Sequence, residues 1–307
     1  MADGRPYASW RRRSLAEVLE LQRPILSGRP ASAIRVRCVV MRAGHVSHGN
    51  GEIYYESTGD GPAVLFLHVG VADSRMWRGQ MGLDGYQTIT FDQRGFGKTE
   101  WARGPFANRH DALAVLDHLQ RETAIVVGCS NGGETALQLA LVAPQRVTGL
   151  VLVATAARGW EPVEGWTDDP RFVEAEAALE AGDVPRMVQL DAEIWLGGHG
   201  RSLDQVEPAL VSLFREMDTK PAMTESERNQ HVQTLDPPTS ERLDEIETPT
   251  LAVVGEYDTP DLIESAIFLA ERLGDREAVV MKDAAHLPPL EVPEAFNTVL
   301  KSFLESI

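Results

Sequence analysis

The segment Ala124-Ile125-Val126-Val127-Gly128-Cys129-Ser130-Asn131-Gly132-Gly133 is an apolar run that ends on a serine flanked by glycines. A helix-like stretch from Glu134 to Leu141 follows at once. The pattern reads as strand, tight turn and helix, with Ser130 at the bend. A reversal this abrupt forces the bend residue into a cramped backbone conformation, which is tolerable only where its neighbours lack bulk. Gly128 and Gly132, two residues to either side of Ser130, meet that demand. The hydroxyl is then held clear of the sheet edge, and the next amide lies at a helix N-terminus, where negative charge is favoured.

Such a turn needs a parallel sheet around it, and the chain supplies one. Ala63–Leu67, Gly149–Val153, Thr250–Val254 and Ala278–Met281 are largely apolar runs, and Gln87–Phe91 is read with them, as expected of strands buried on both faces. Helical patterns fall near Arg109–Leu119, Glu134–Val142, Leu262–Leu273 and Pro293–Leu304. The alternation predicts an α/β fold, a mostly parallel sheet with helices on both faces. A hairpin is expected over His45–Ser57, turning at His48-Gly49-Asn50-Gly51. From Ala156 to Thr248 no buried strand is visible. Four helices are expected there, over Phe172–Ala181, Pro185–Trp195, Leu203–Met217 and Glu225–Gln233, with Pro237-Pro238 on the return path. Because the sheet resumes at Thr250, this interval reads as a helical insertion. The expected division is a disordered extension over 1–44, a core over 45–155 and 249–307, and a helical cap over 156–248.

The net charge of −17 argues against nucleic-acid or anionic-membrane partners. It is uneven: the first forty residues carry eight Arg against three acidic residues, a charge of +5, which leaves −22 on the rest. No apolar run approaches the ~18 residues of a membrane span, and no apolar segment follows the N-terminal arginines to make a secretory signal. Cys38 and Cys129 are the two cysteines. With one of them inside the turn, a structural disulfide is not expected and a cytoplasmic setting is. Cys129 reads as a small packing residue, since Ser130 holds the bend.

A serine hydroxyl is a poor nucleophile until a base accepts its proton, and the base needs an acid to fix its tautomer. Asp258, in Gly255-Glu256-Tyr257-Asp258, lies just past one strand, and His286, in Asp283-Ala284-Ala285-His286-Leu287-Pro288, follows the next. Asp261 is an alternative acid, better suited to starting a helix. His68, at the end of an early strand, reads as a structural cap to that strand, and Asp92 and Arg94 as fixing the loop between strand and helix by ion pairing and hydrogen bonds rather than by touching substrate. Trp160, Trp166, Trp195 and Phe214 of the insertion are expected in its core, with one or two facing the cleft. His45, His48 and His199 make no metal set, and Gly95-Phe96-Gly97 is too short for a phosphate cradle. No cofactor and no metal are expected.

The segments His68-Val69-Gly70, Phe91-Asp92-Gln93-Arg94-Gly95-Phe96-Gly97-Lys98-Thr99, Gly128–Gly133, Gly255–Asp258 and His286-Leu287-Pro288 resemble the α/β-hydrolase superfamily from about His45 to the C-terminus. The nearest likeness is to bacterial capped esterases, enol-lactonases and non-haem perhydrolases. A serine at the elbow counts against the epoxide-hydrolase and haloalkane-dehalogenase branches. The resemblance implies a triad of Ser130, Asp258 and His286, with an oxyanion hole from the Asn131 and Gly70 amides. Val69 departs from the glycine more usual at its place. The implied substrate is a small carboxylic ester or lactone. Perhydrolysis or C–C bond hydrolysis by the same triad, or a non-catalytic ligand receptor, are the alternatives. Homo-oligomerisation stays open.

Overall fold

The computed structural model describes residues 41–162, 169–274 and 277–307. Residues 1–40 of the expected extension, and Trp166, lie outside the described residues. Eight strands form one sheet: β1 (Met41–His48), β2 (Gly51–Thr58), β3 (Ala63–Leu67), β4 (Gln87–Phe91), β5 (Ala124–Cys129), β6 (Val147–Val153), β7 (Thr250–Gly255) and β8 (Val279–Met281). Their order is β1-β2-β4-β3-β5-β6-β7-β8. The leading hairpin is longer than expected: Met41 pairs with Thr58, and Gly49-Asn50 makes the turn, with Gly49 at φ 59°. β2 joins β4 antiparallel, and every later pairing is parallel.

The central strands read as unbroken apolar runs because each feeds two cores. Val64 and Phe66 of β3 pack with Trp77, Phe296 and Leu300 on one face. Ala63, Leu65 and Leu67 of the same strand pack with Val115, Leu116 and Leu137 on the other. Alternate side chains on opposite faces give this split directly. The covering helices of the core are α1 (Asn108–His118) and α2 (Asn131–Val142), and later α6 (Pro260–Leu273) and α7 (Pro293–Leu304).

The insertion carries α3 (Pro170–Ala181), α4 (Val184–Asp191) and α5 (Pro208–Asn229). Two of its elements differ from expectation. The helix expected over Pro185–Trp195 stops at Asp191, and Ala192–Gly197 continues as a wider π-helical turn. The helices expected over Leu203–Met217 and Glu225–Gln233 are one helix, α5, which runs through Pro221. A proline inside a helix costs about 3 kcal/mol through the lost N–H bond and the ring's clash with the preceding turn. Here Pro221 is buried, as are Phe214, Met217 and Ala222 of the same helix, and that packing offsets the local cost.

The strand order also places the site. From β3 the chain goes to β4 on one side, then crosses to β5 on the other. Such a reversal opens a crevice beyond the carboxyl ends of the two strands. The His68–Gly70 loop leaves β3 there, and Ser130 leaves β5.

Candidate active site

Ser130 sits between β5 and α2 at φ 51°, ψ −112°, a region that non-glycine residues occupy at a cost of roughly 1–3 kcal/mol. Its amide donates to the Val153 carbonyl at 2.8 Å, which pins the bend to β6. The flanking glycines are required by contact as well as by conformation. A Cβ on Gly128 would strike the Gly132 carbonyl, and one on Gly132 would strike the carbonyl oxygen of Leu67. Of the four non-glycine residues with positive φ among the described residues, three lie just past strand ends: Ser130 after β5, Ala154 after β6 and Asp283 after β8. Backbone strain is therefore concentrated around this crevice.

Asp258 and His286 meet. The imidazole Nδ1 lies 3.1 Å from Asp258 Oδ1 and 3.0 Å from Oδ2, with the two residues only 3% and 2% exposed. The Thr259 amide donates to Asp258 Oδ1 at 2.9 Å and orients the carboxylate further. With Nδ1 engaged, Nε2 is the ring nitrogen left for other chemistry. The His286 carbonyl accepts the Cys129 thiol at 3.5 Å, so the histidine loop lies against the elbow residue preceding Ser130. Cys129 is a free, buried thiol whose pKa burial pushes well up, as suits a packing role. Asp261 lies in the first turn of α6; the imidazole's partner is Asp258.

The two amides expected to face an oxyanion come from neighbours. A Cβ on Gly70 would stand 3.8 Å from Asn131 Cβ, an ordinary contact distance. Asn131 is the first residue of α2, so its N–H has no partner one turn back within the helix. The loop bearing Gly70 is held by His68, which is fully buried. Its Nδ1 donates to the Val69 carbonyl at 2.7 Å, and its Nε2 accepts the Gln93 amide at 2.9 Å. One donor and one acceptor define a neutral ring, and burial pushes its pKa down in agreement.

Three residues outside the expected set complete the scaffold. Gln93 donates to the His68 carbonyl at 2.7 Å and accepts the Asn131 side-chain amide at 3.3 Å, bridging the β3 loop to the elbow. Glu291 accepts the amides of Ala285 and Leu287, on either side of His286, each at 3.0 Å. Arg201 of the insertion donates to Glu291 at 2.6 Å and to the Asp283 carbonyl at 2.9 Å. Its guanidinium also lies 4.9 Å from the Tyr257 ring. Burial raises the Glu291 pKa, and Arg201 and the two amides oppose that rise. The sequence signal for Gln93 is its place in the quoted Phe91–Thr99 segment; Glu291 and Arg201 carry none.

Arg94 and Asp92 do fix a loop, but through different partners from each other. Arg94 makes a bidentate pair with Asp111, both bonds at 2.8 Å, while Asp92 accepts the amides of Ser74 and Lys98. A cleft of about 340 Å³ borders this pair and also touches His48, Asn50, Phe106 and His110. None of Ser130, Asp258 or His286 lines it, and its charged walls already satisfy each other. Of the aromatic residues in the insertion, Phe214 is core, Trp160 packs near Phe268, and Trp195 lies against His286. Among the described residues no group of three or more His, Cys, Asp or Glu could hold a metal ion, and no helix is long and apolar enough to cross a membrane.

The sequence profile of the alpha/beta hydrolase fold family matches residues 62–293. Among curated proteins, 3-oxoadipate enol-lactonase 1 of Acinetobacter baylyi is 27% identical over 251 residues, spanning 80% of this chain and 90% of its own length. The 2-hydroxy-6-oxo-6-phenylhexa-2,4-dienoate hydrolase of Comamonas testosteroni is 26% identical over 275 residues, spanning 82% of this chain and 91% of its own. Among solved structures, Est816, an N-acyl homoserine lactone degrading enzyme, superposes with a TM-score of 0.68 at 27% identity, covering 84% of this chain and 99% of that one.

Proposed function

The chain belongs to the alpha/beta hydrolase fold family, in its esterase- and lactonase-like branch, and from that premise we propose that it is a serine hydrolase of small carboxylic esters or lactones. The observation that carries the reading is the buried Asp258–His286 pair, whose histidine loop packs against the elbow holding Ser130. The Ser130 hydroxyl attacks the carbonyl carbon while its proton passes to His286 Nε2. Asp258 keeps the ring in the correct tautomer and steadies its charged form. The negative oxygen that develops is met by the Asn131 and Gly70 amides, and removing such a donor commonly costs about 3 kcal/mol of barrier.

The imidazolium then protonates the departing alkoxide. In a lactone that alkoxide stays tethered to the acyl group. Water, deprotonated by the same histidine, attacks the acyl-enzyme and frees the acid. The helical insertion closes over the acyl group and limits access of bulk water. An enol-lactonase and a lactone-degrading enzyme among the relatives support the choice of bond.

A fluorophosphonate probe should label the wild type at Ser130 stoichiometrically, and p-nitrophenyl acetate should turn over. Ser130→Ala should lose the label and roughly 10⁴-fold or more in turnover while melting like the wild type. Undiminished hydrolysis by Ser130→Ala would overturn the assignment. Product analysis separates hydrolysis from perhydrolysis and C–C cleavage, and a protein that labels without turning over would be a ligand receptor.

A further inference from the structure

The wide turn Ala192–Gly197 brings one residue of the insertion to His286 by two routes, one through its backbone and one through its side chain. The Trp195 carbonyl accepts the His286 amide at 3.1 Å. The indole and imidazole centroids lie 4.5 Å apart with the planes at 40°. The indole is itself held: its N–H donates to Asp191 Oδ1 at 3.1 Å, one turn back, and Phe172 of α3 meets it edge-on at 5.6 Å. A π-type turn places one more residue per turn than an α-helix, and Trp195 is carried to the imidazole on that widened turn.

His286 is buried, and a buried ring that must become a cation is costly unless that charge is compensated. The charged and titratable groups around it are Asp258 at Nδ1, Glu291 with its partner Arg201 behind the loop, the Cys129 thiol at its carbonyl and, past the indole, Asp191 with Asp218 beyond it. Asp258 compensates from one edge of the ring. An aromatic face within about 6 Å of a cation does so from another side.

We propose that Trp195 is a positioning residue for proton transfer: its carbonyl and ring fix His286, and its π face stabilises the imidazolium formed when the Ser130 proton reaches Nε2. The step needs no further reactant, since the proton moves from Oγ to Nε2 as the Oγ–acyl bond forms. This rests on the triad reading above. A purely structural Trp195 would be replaceable by any side chain of similar bulk. A charge-stabilising one is replaceable only by another aromatic ring.

The test compares full-length wild type, Trp195→Phe and Trp195→Leu by kcat/KM for p-nitrophenyl acetate from pH 5 to 9, alongside NMR titration of the His286 ring. Trp195→Leu should lower the plateau roughly 3- to 10-fold and move the acid limb down by roughly half to one pH unit, with the NMR midpoint moving likewise. Trp195→Phe should keep the limb within about 0.3 of a pH unit of wild type, since its ring supplies the same face. If Trp195→Leu does not fold, Trp195→Met, non-aromatic and flexible enough to adapt to the gap, serves in its place. An unmoved limb and an unmoved NMR midpoint in the aliphatic variant overturn the proposal. A wild type that neither labels with fluorophosphonate nor turns over ester instead overturns the triad reading, and the NMR midpoints still decide the role of Trp195.

Discussion

The pair Asp191–Asp218, between α4 and α5, makes the insertion sensitive to pH in a direction that can be worked out. Asp191 is 6% exposed, and its pKa is raised from 3.8 to about 7, first by burial and then by the charge of Glu225. Burial and Asp191 together hold Asp218 well above its ordinary value. A carboxyl whose folded pKa exceeds its unfolded one contributes stability that is complete below about pH 4 and is lost as the pH rises through about 7. A displacement of about three pH units corresponds to at most ~4 kcal/mol, spread over two carboxyls that influence each other's titration. Asp191→Asn keeps an acceptor for the Trp195 indole and gains a donor toward Asp218. At pH 4.5, where wild-type Asp191 is protonated, the two proteins should differ by less than about 1 kcal/mol. At pH 8.5 the variant should be more stable by roughly 2–4 kcal/mol, raising Tm by roughly 3–6 °C for a chain of this size. Scanning calorimetry of both proteins at half-unit pH intervals reads the difference, and groups common to both cancel. A difference that does not change between pH 4.5 and 8.5, or that favours the wild type at the alkaline end, would refute the reasoning.

Two further outcomes are expected. Asp258→Asn should lose about 10⁴ in kcat through the wrong imidazole tautomer, while Asp261→Asn should stay within a few fold of wild type; the reverse pattern in ester turnover would move the acid. Gly132→Ala should lower stability by roughly 1–3 kcal/mol and slow acyl-enzyme formation, because the new methyl group meets the Leu67 carbonyl at the end of β3. Thermal melts and stopped-flow bursts check this, and a wild-type burst in an undisturbed fold would show that the elbow tolerates side chains.

Legibility in the sequence followed how local each constraint is. β3 is bounded as its apolar run is, because a strand buried on both faces has no polar alternation to blur its ends, and β4 keeps its expected bounds although Gln87, Thr88 and Thr90 are polar and buried. The bend at Ser130 is legible because its demand for glycine is made by the immediate backbone. The adjacency of Asp258 and His286 follows from successive parallel strands, β7 and β8, whose C-terminal loops lie side by side. Pro221 misleads in the other direction: as a helix breaker it reads as a boundary, and only tertiary burial carries α5 through it. Glu291 is illegible because its role joins two amides of the nearby histidine loop to a guanidinium, Arg201, that arrives from the distant insertion. The widened turn at Ala192–Gly197 has no pattern of its own, so the approach of Trp195 to His286 emerges only from the folded chain.

The ion pair between Arg201 and Glu291 bears on how such proteins can be recombined. One partner belongs to the lid and the other to the scaffold beneath the histidine loop, and their side chains are 12% and 3% exposed. A lid transplanted from a relative with an aliphatic residue at position 201 would strand an acid in the interior, a defect on the order of 3–5 kcal/mol, directly under the imidazole. Shuffling libraries cut at the two ends of the insertion would lose stability and alignment together, however well the donor helices packed. A workable chimaera has to inherit both halves of this pair or neither.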